Sequence, residues 1–140
     1  MRHYIYRIEE DRDHVGMISI PDESLMSRVP PDSVEVGETP VPEDKSGQFF
    51  EAWRLGGDGK VTVDLEHAKK IRLDWLRKRR ERIFKSLDRK QFQAYCSDRK
   101  KDVEAIEAEK ELLRHFPEHI DWDVVKDVGQ IGHVIPPELT

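Results

Sequence analysis

The chain has 140 residues, with 24 basic and 29 acidic side chains, a net charge of −5, and 38% charged against 36% hydrophobic residues. That length predicts one domain, and so little apolar material predicts a modest core that a partner or a second subunit helps to cover. No run approaches the ~20 apolar residues of a membrane span, the opening RHYIYRIEEDRD has no signal-peptide core, and the single cysteine, Cys96, excludes a disulfide framework or a multi-cysteine zinc site.

Tyr4, Tyr6 and Ile8 alternate with polar neighbours, and Val15, Met17, Ile18 and Ile20 follow, so two short strands are predicted with Glu10 to Asp13 as their turn. Pro21 ends the second, and Asp22 is placed to cap a helical turn through Leu25 and Met26. Pro30, Pro31, Pro40 and Pro42 surround the alternating Val34 and Val36, which predicts an edge strand and an extended arm over 30–48. Phe49 to Leu55 and Lys60 to Val63 then flank Gly56-Gly57-Asp58-Gly59, a hairpin turn with Phe50, Trp53 and Val61 on its apolar side.

From Asp64 the period changes. Leu73, Leu76, Ile83 and Leu87, beside Ala68, Ile71 and Trp75, define one wide helical face, with Asp64 as cap and Glu66 in the first turn. Phe92, Cys96, Val103, Ile106 and Leu113 continue at helical spacing until Pro117, while the polar run Ser97 to Asp102 marks a reversal. The expectation is an α+β protein: a β-rich region over 1–63, an antiparallel helical hairpin over 64–116 and an extended tail over 117–140. Ile120, Trp122, Val124, Val125, Val128, Ile131, Val134 and Ile135 make that tail apolar enough to dock on a surface. Cys96 and Trp75 are read as core residues, Trp122 as an interface residue.

Residues 64–90 hold eleven basic against five acidic side chains, so the net −5 divides into +6 there and −11 elsewhere. A basic helix neutralising phosphates would leave that footprint. The acidic remainder, including Glu104, Glu107, Glu109 and Glu111, supplies counter-charges within the chain and opposes phosphate approach. No cluster spells out catalysis or a cofactor. Phe116-Pro117 interrupts the helix that would align His115 with His119 for a metal, and Asp121 and Asp123 read as solvated loop acids. The glycine-rich turn lacks the lysine and hydroxyl residue of a phosphate loop, and Cys96 has no ordered base. The reading is a non-enzymatic protein without metal or cofactor.

The stretch FFEAWRLGGDGKVTVDLEHAKKIRLDWLRKRRERIFKSLDRKQF resembles a pattern found in small proteins encoded among the tail and tail-fibre genes of bacteriophages and prophages. The matching positions are Phe50, Ala52, Trp53, Arg54, Val63, Asp64, Ala68, Ile71, Arg77, Arg80, Leu87 and Asp88, followed by Lys110, Leu113, Arg114 and Pro117. The likeness covers roughly residues 49–117, and the junction from Trp53 to Asp64 is its distinctive part. The resemblance implies a tail-fibre assembly chaperone, or an adaptor retained in the virion tail, acting in the host cytoplasm during assembly. Its partner would be a tail-fibre or baseplate polypeptide, alone or beside a homo-oligomer. Phe50, Trp53, Arg77, Arg79, Arg80, Arg82 and Trp122 are the expected contact residues, aromatic and arginine side chains being the usual interface anchors. The alternative is a nucleic-acid-binding accessory protein using the basic helix 69–90.

Overall fold

The computed structural model describes residues 1–8 and 14–140, and the chain divides into two units, Met1–Ala68 and Lys69–Thr140. The turn expected at Glu10 to Asp13 lies outside the described residues. The architecture is α+β, with a small N-terminal β region, a long antiparallel helical hairpin and a C-terminal segment of short helical turns.

In the first unit, β1 (Arg2–Arg7) is the central strand of a three-stranded antiparallel sheet, flanked by β2 (Val15–Ile20) and β3 (Val34–Val36). Tyr4 and Ile5, neighbours on opposite faces, are both buried, so the simple alternation of Tyr4, Tyr6 and Ile8 gives way to a strand covered on both sides. Ile8, read as part of that alternating stripe, is exposed. β2 runs in register with β1, Tyr6 opposite Gly16 and Ile5 opposite Met17. A Cβ at Gly16 would lie 2.3 Å from Cζ of Tyr6, so the tyrosine ring occupies the space of the missing side chain. Asp22 caps the 3-10 turn Glu23–Arg28, its Oδ1 accepting from the Ser24 N–H at 2.8 Å.

β4 (Trp53–Leu55) and β5 (Val61–Val63) form the expected hairpin. Its turn closes by Gly56 N–H to Lys60 O at 2.9 Å, and Gly59 takes a φ of 78°, a left-handed conformation that glycine adopts without a Cβ clash. The two sheets share one core of Ile5, Val15, Val41, Trp53 and Leu55, and Arg7 donates from Nη2 to Leu55 O at 2.8 Å. The proline-rich segment is not a free arm. Val41 enters this core, and the 3-10 turn Pro42–Asp44 buries Asp44.

Helix α1 (Leu65–Cys96) starts where Asp64 predicts: the Asp64 carboxylate accepts from His67 N–H at 3.3 Å and its carbonyl from Ala68 N–H at 2.9 Å. In the second unit α1 ends at a tight reversal and α2 (Lys100–Arg114) returns along it. Asp98 adopts a φ of 55°, with Asp98 N–H donating to Tyr95 O at 3.2 Å and Arg99 N–H to Ala94 O at 2.9 Å. This is the paired C-terminal cap in which a left-handed residue lets its own amide and the next turn back on the last carbonyls. Leu76 and Leu87 of α1 join Leu113 of α2, Phe116 and Leu139 in a second core. Beside it, the ammonium of Lys110, on a mostly buried side chain, contacts Asp88 and donates to Gln91 Oε1 at 2.6 Å, while Gln91 Nε2 donates to Val103 O at 3.3 Å. A polar clasp therefore sets how the two helices align.

The segment after α2 is not extended. It winds through 3-10 turns at Phe116–His119, Trp122–Val124 and Pro137–Leu139 and a short helix α3 (Val128–His133), capped by Asp127 accepting from Gln130 N–H at 2.8 Å. Most of the apolar residues that predicted docking are answered within the unit: Val125, Val128 and Ile131 are buried, and Ile120, Val134 and Ile135 pack against the hairpin core beside the fully buried Leu139, while Val124 stays exposed.

Candidate protein-binding surfaces

In the first unit Phe50 and Trp53 come together, ring centroids 5.2 Å apart and inclined at 58°. Their placement depends on Asp44, whose Oδ2 accepts from Trp53 Nε1 and from Phe49 N–H, both at 2.9 Å. Trp53 is buried and Phe50 half-buried, so the pair lines a groove of about 500 Å³ instead of standing out as an anchor. Met17, His3 and Ser19 line its other side, with His3 Nδ1 and Ser19 Oγ 2.6 Å apart. Asp44 escaped sequence reading because a carboxylate between prolines and a lysine looks solvated. The only signal was Trp53, whose buried N–H needs an acceptor.

The four arginines chosen on α1 do not form one surface. Residues 77, 79, 80 and 82 advance by about 100° per residue around the helix, and the structure gives three of them different neighbours. Arg79 donates from Nε to Leu139 O at 2.6 Å, and Arg80 lies over the Phe116 ring at 5.0 Å from its centroid. Arg77 pairs with Asp74 at 3.5 Å on the surface, and Arg82 is exposed. Two of the four thus hold the chain's own C-terminal segment. Arg72, missed by the sequence reading, does the same, donating from Nε to Val134 O at 2.9 Å. Burial and the neighbouring Arg79 lower its pKa.

Trp75 is not core. It is 43% exposed, with the Arg72 guanidinium 4.2 Å and that of Arg79 5.8 Å from its ring centroid. Cation–π contact with two arginines orients the indole, where apolar burial was expected. Cys96 and Phe92 also depart from the expected buried stripe. Cys96 is exposed and Phe92 is 68% exposed, because the face of α1 that meets α2 runs through Leu87 and Ala94. Tyr95, one turn from Phe92, is 75% exposed beside an open groove at the hairpin tip lined by Ala94, Arg99 and Val103. Trp122 is half-buried in its 3-10 turn.

A surface does emerge from the basic helix, on positions the four-arginine choice mostly passed over. Lys78, Arg82, Lys85 and Arg89 recur at spacings of four, three and four residues, which brings all four to one face of α1, and all are exposed. They extend over roughly 16 Å at 1.5 Å per residue, and Phe92 continues the same face. Among the described residues none of the four makes an ion pair or a hydrogen bond. Two of the four acids expected as counter-charges are engaged on α2: Glu107 and Glu111 meet Arg114 at 3.1 and 2.7 Å, and both carboxyls are held below their usual range by hydrogen bonds, from Gln91 to Glu107 and from Arg114 to Glu111.

The two histidines read as a discarded metal pair have separate partners. His115 Nε2 lies 2.9 Å from Glu111, whose hydrogen bond raises the histidine pKa, and His119 Nδ1 lies 2.8 Å from Glu138. Among the described residues no group of three or more metal-ligating side chains converges. Comparison of the chain with family models, with curated proteins and with solved structures gave no match.

Proposed function

We propose that this chain is a non-enzymatic tail-associated protein of a bacteriophage, a fibre-assembly chaperone or a retained adaptor, which grips an acidic segment of a tail-fibre or baseplate polypeptide along α1. The phage assignment rests on the resemblance over residues 49–117. The binding mode rests on one observation: Lys78, Arg82, Lys85 and Arg89, unpaired among the described residues, form a cationic stripe that runs into the exposed Phe92. Four lysine and arginine heads in a row on a 32-residue helix attract carboxylates over a long range. The aromatic side chain at the end of the row supplies the apolar anchor that charges alone lack. The C-terminal segment meets α1 through Arg72 and Arg79, while Lys78, Arg82, Lys85 and Arg89 stay exposed.

The test is co-expression of the chain with the neighbouring fibre polypeptide, followed by pull-down, with Arg82→Glu and Lys85→Glu introduced together. Capture by the parent and loss by the variant, with unchanged far-UV circular dichroism, is the expected result. Equal capture by both would overturn the stripe as the binding face. Mass spectrometry of particles separates the two roles, a fixed copy number marking an adaptor and absence marking a chaperone. The same stripe favours a second reading, binding of nucleic acid. It predicts retention on duplex DNA, with a salt slope reduced by about one for each cation removed. DNA retention without fibre capture would replace the first reading with the second.

A further inference from the structure

The three-stranded sheet of the first unit has two edges, and they are built differently. β3 is three residues long and stands between Pro31 and Pro40. It carries Glu35, which accepts two bonds from Arg2, at 3.0 and 2.9 Å. Shortness, charge and flanking proline are devices that keep an edge from pairing. β2 is neither short nor charged. Its six residues, VGMISI, carry no charge, and the first proline, Pro21, comes after its end.

The inner side of β2 pairs with β1 along its whole length, and among the described residues no strand or other backbone group bonds its outer side. Met17 is 47% exposed and Ser19 is exposed. A row of main-chain donors and acceptors without a backbone partner among the described residues therefore lies along an uncharged strand. Such an edge templates the addition of another strand.

We propose that β2 pairs antiparallel with β2 of a second copy of this chain, joining two three-stranded sheets across a twofold axis. The choice of a second copy follows from charge and strand parity. Antiparallel strands exchange bonds only between residues that face each other in the same sense, so a twofold axis must centre on a residue. Centred on Met17, it sets Met17 against Met17, Gly16 against Ile18 and Val15 against Ser19. Centred on Ile18, it sets Gly16 against Ile20 and Met17 against Ser19. In a symmetric pairing a charged residue at or beside the axis would stand opposite or near its own copy, and like charges so placed are destabilising. A strand free of charge meets no such opposition in either register.

Light scattering and sedimentation over a range of concentrations, on the full chain, test the proposal. The parent should reach twice the 16.5 kDa of one chain, while Met17→Lys and Ser19→Lys, each at an exposed position, should remain monomeric with unchanged far-UV circular dichroism. Hydrogen exchange supplies a measurement that needs no variant: amides within 15–20 should exchange faster on dilution, while those of β1 keep their protection. A parent that stays monomeric throughout would overturn the proposal, even if a foreign strand captured β2. So would a dimer that both folded variants preserve, with exchange at 15–20 independent of concentration.

Discussion

Replacing Leu139 by alanine isolates the attachment of the C-terminal segment to the helical hairpin. Leu139 is fully buried in a cluster with Leu76, Leu87, Leu113 and Phe116, yet it belongs to a three-residue 3-10 turn too short to hold itself. The bond from Arg79 Nε reaches its carbonyl and survives the substitution, so the change removes side-chain burial alone. Leu→Ala deletes the equivalent of three buried methylenes, or about 2.4 kcal/mol at ~0.8 kcal/mol each. The cavity term adds little where a light segment can settle into the space, which places the cost at the low end of the range for such substitutions, about 2.5 kcal/mol. Urea unfolding followed by circular dichroism should therefore show the midpoint of the second unit falling by about 1 M, taking an m-value of ~2 kcal/mol/M. Leu112→Ala, on a side chain 53% exposed, is the control and should shift stability by less than ~0.5 kcal/mol. If the two substitutions have equal and small effects, the C-terminal segment is not part of the hairpin core and the description of the second unit fails.

Three further outcomes follow from the hairpin. Asp98→Gly relieves a left-handed conformation that costs an L-residue roughly 1 kcal/mol, so thermal unfolding should move up by a few degrees; a downward shift would show that the Asp98 side chain contributes more than its backbone costs. Lys110→Ala should lose about 1–2 kcal/mol and Lys110→Met about half of that, because methionine keeps the buried stem and Asp88 can return to water; equal losses would assign the whole effect to the ion pair. For His115 the folded pKa is raised above 6.5 by its bond to Glu111, so its contribution is complete below that value and lost as pH rises through the raised one. An NMR titration should show this shift, and Glu111→Gln should bring the histidine back toward its ordinary value.

Local punctuation made much of the fold legible. Asp22 and Asp64 as caps, the glycine turn at 56–59, the polar break after Cys96 and the stop before Pro117 each act within a few residues of themselves, so one dimension suffices to read them. What the sequence hid depends on which partner a face meets. Phe92 and Cys96 share the helical spacing of core residues, but only the packed position of α2 decides that Ala94 turns inward instead. Arg79 and Arg80 looked like available cations because nothing in their own helix reveals a carbonyl sixty residues later or the ring of Phe116. The expected contact residues were thus partly spent inside the molecule, and the exposed stripe shares only Arg82 with them.

The socket that Gly16 makes for the Tyr6 ring has a consequence for how the first sheet finds its alignment. The connection from Ile8 to His14 is longer than the two-residue loops whose geometry dictates which residues face each other. Alignment must then be checked elsewhere. Sliding β2 by one place would bring Val15 or Met17 opposite Tyr6, and sliding it by two would bring His14 or Ile18; only Gly16 lacks the carbon that would collide with the ring. The tyrosine thus favours the native alignment, because a residue with a Cβ opposite it would have to displace the ring. The pattern of main-chain groups that β2 displays on its far side is set by that same check.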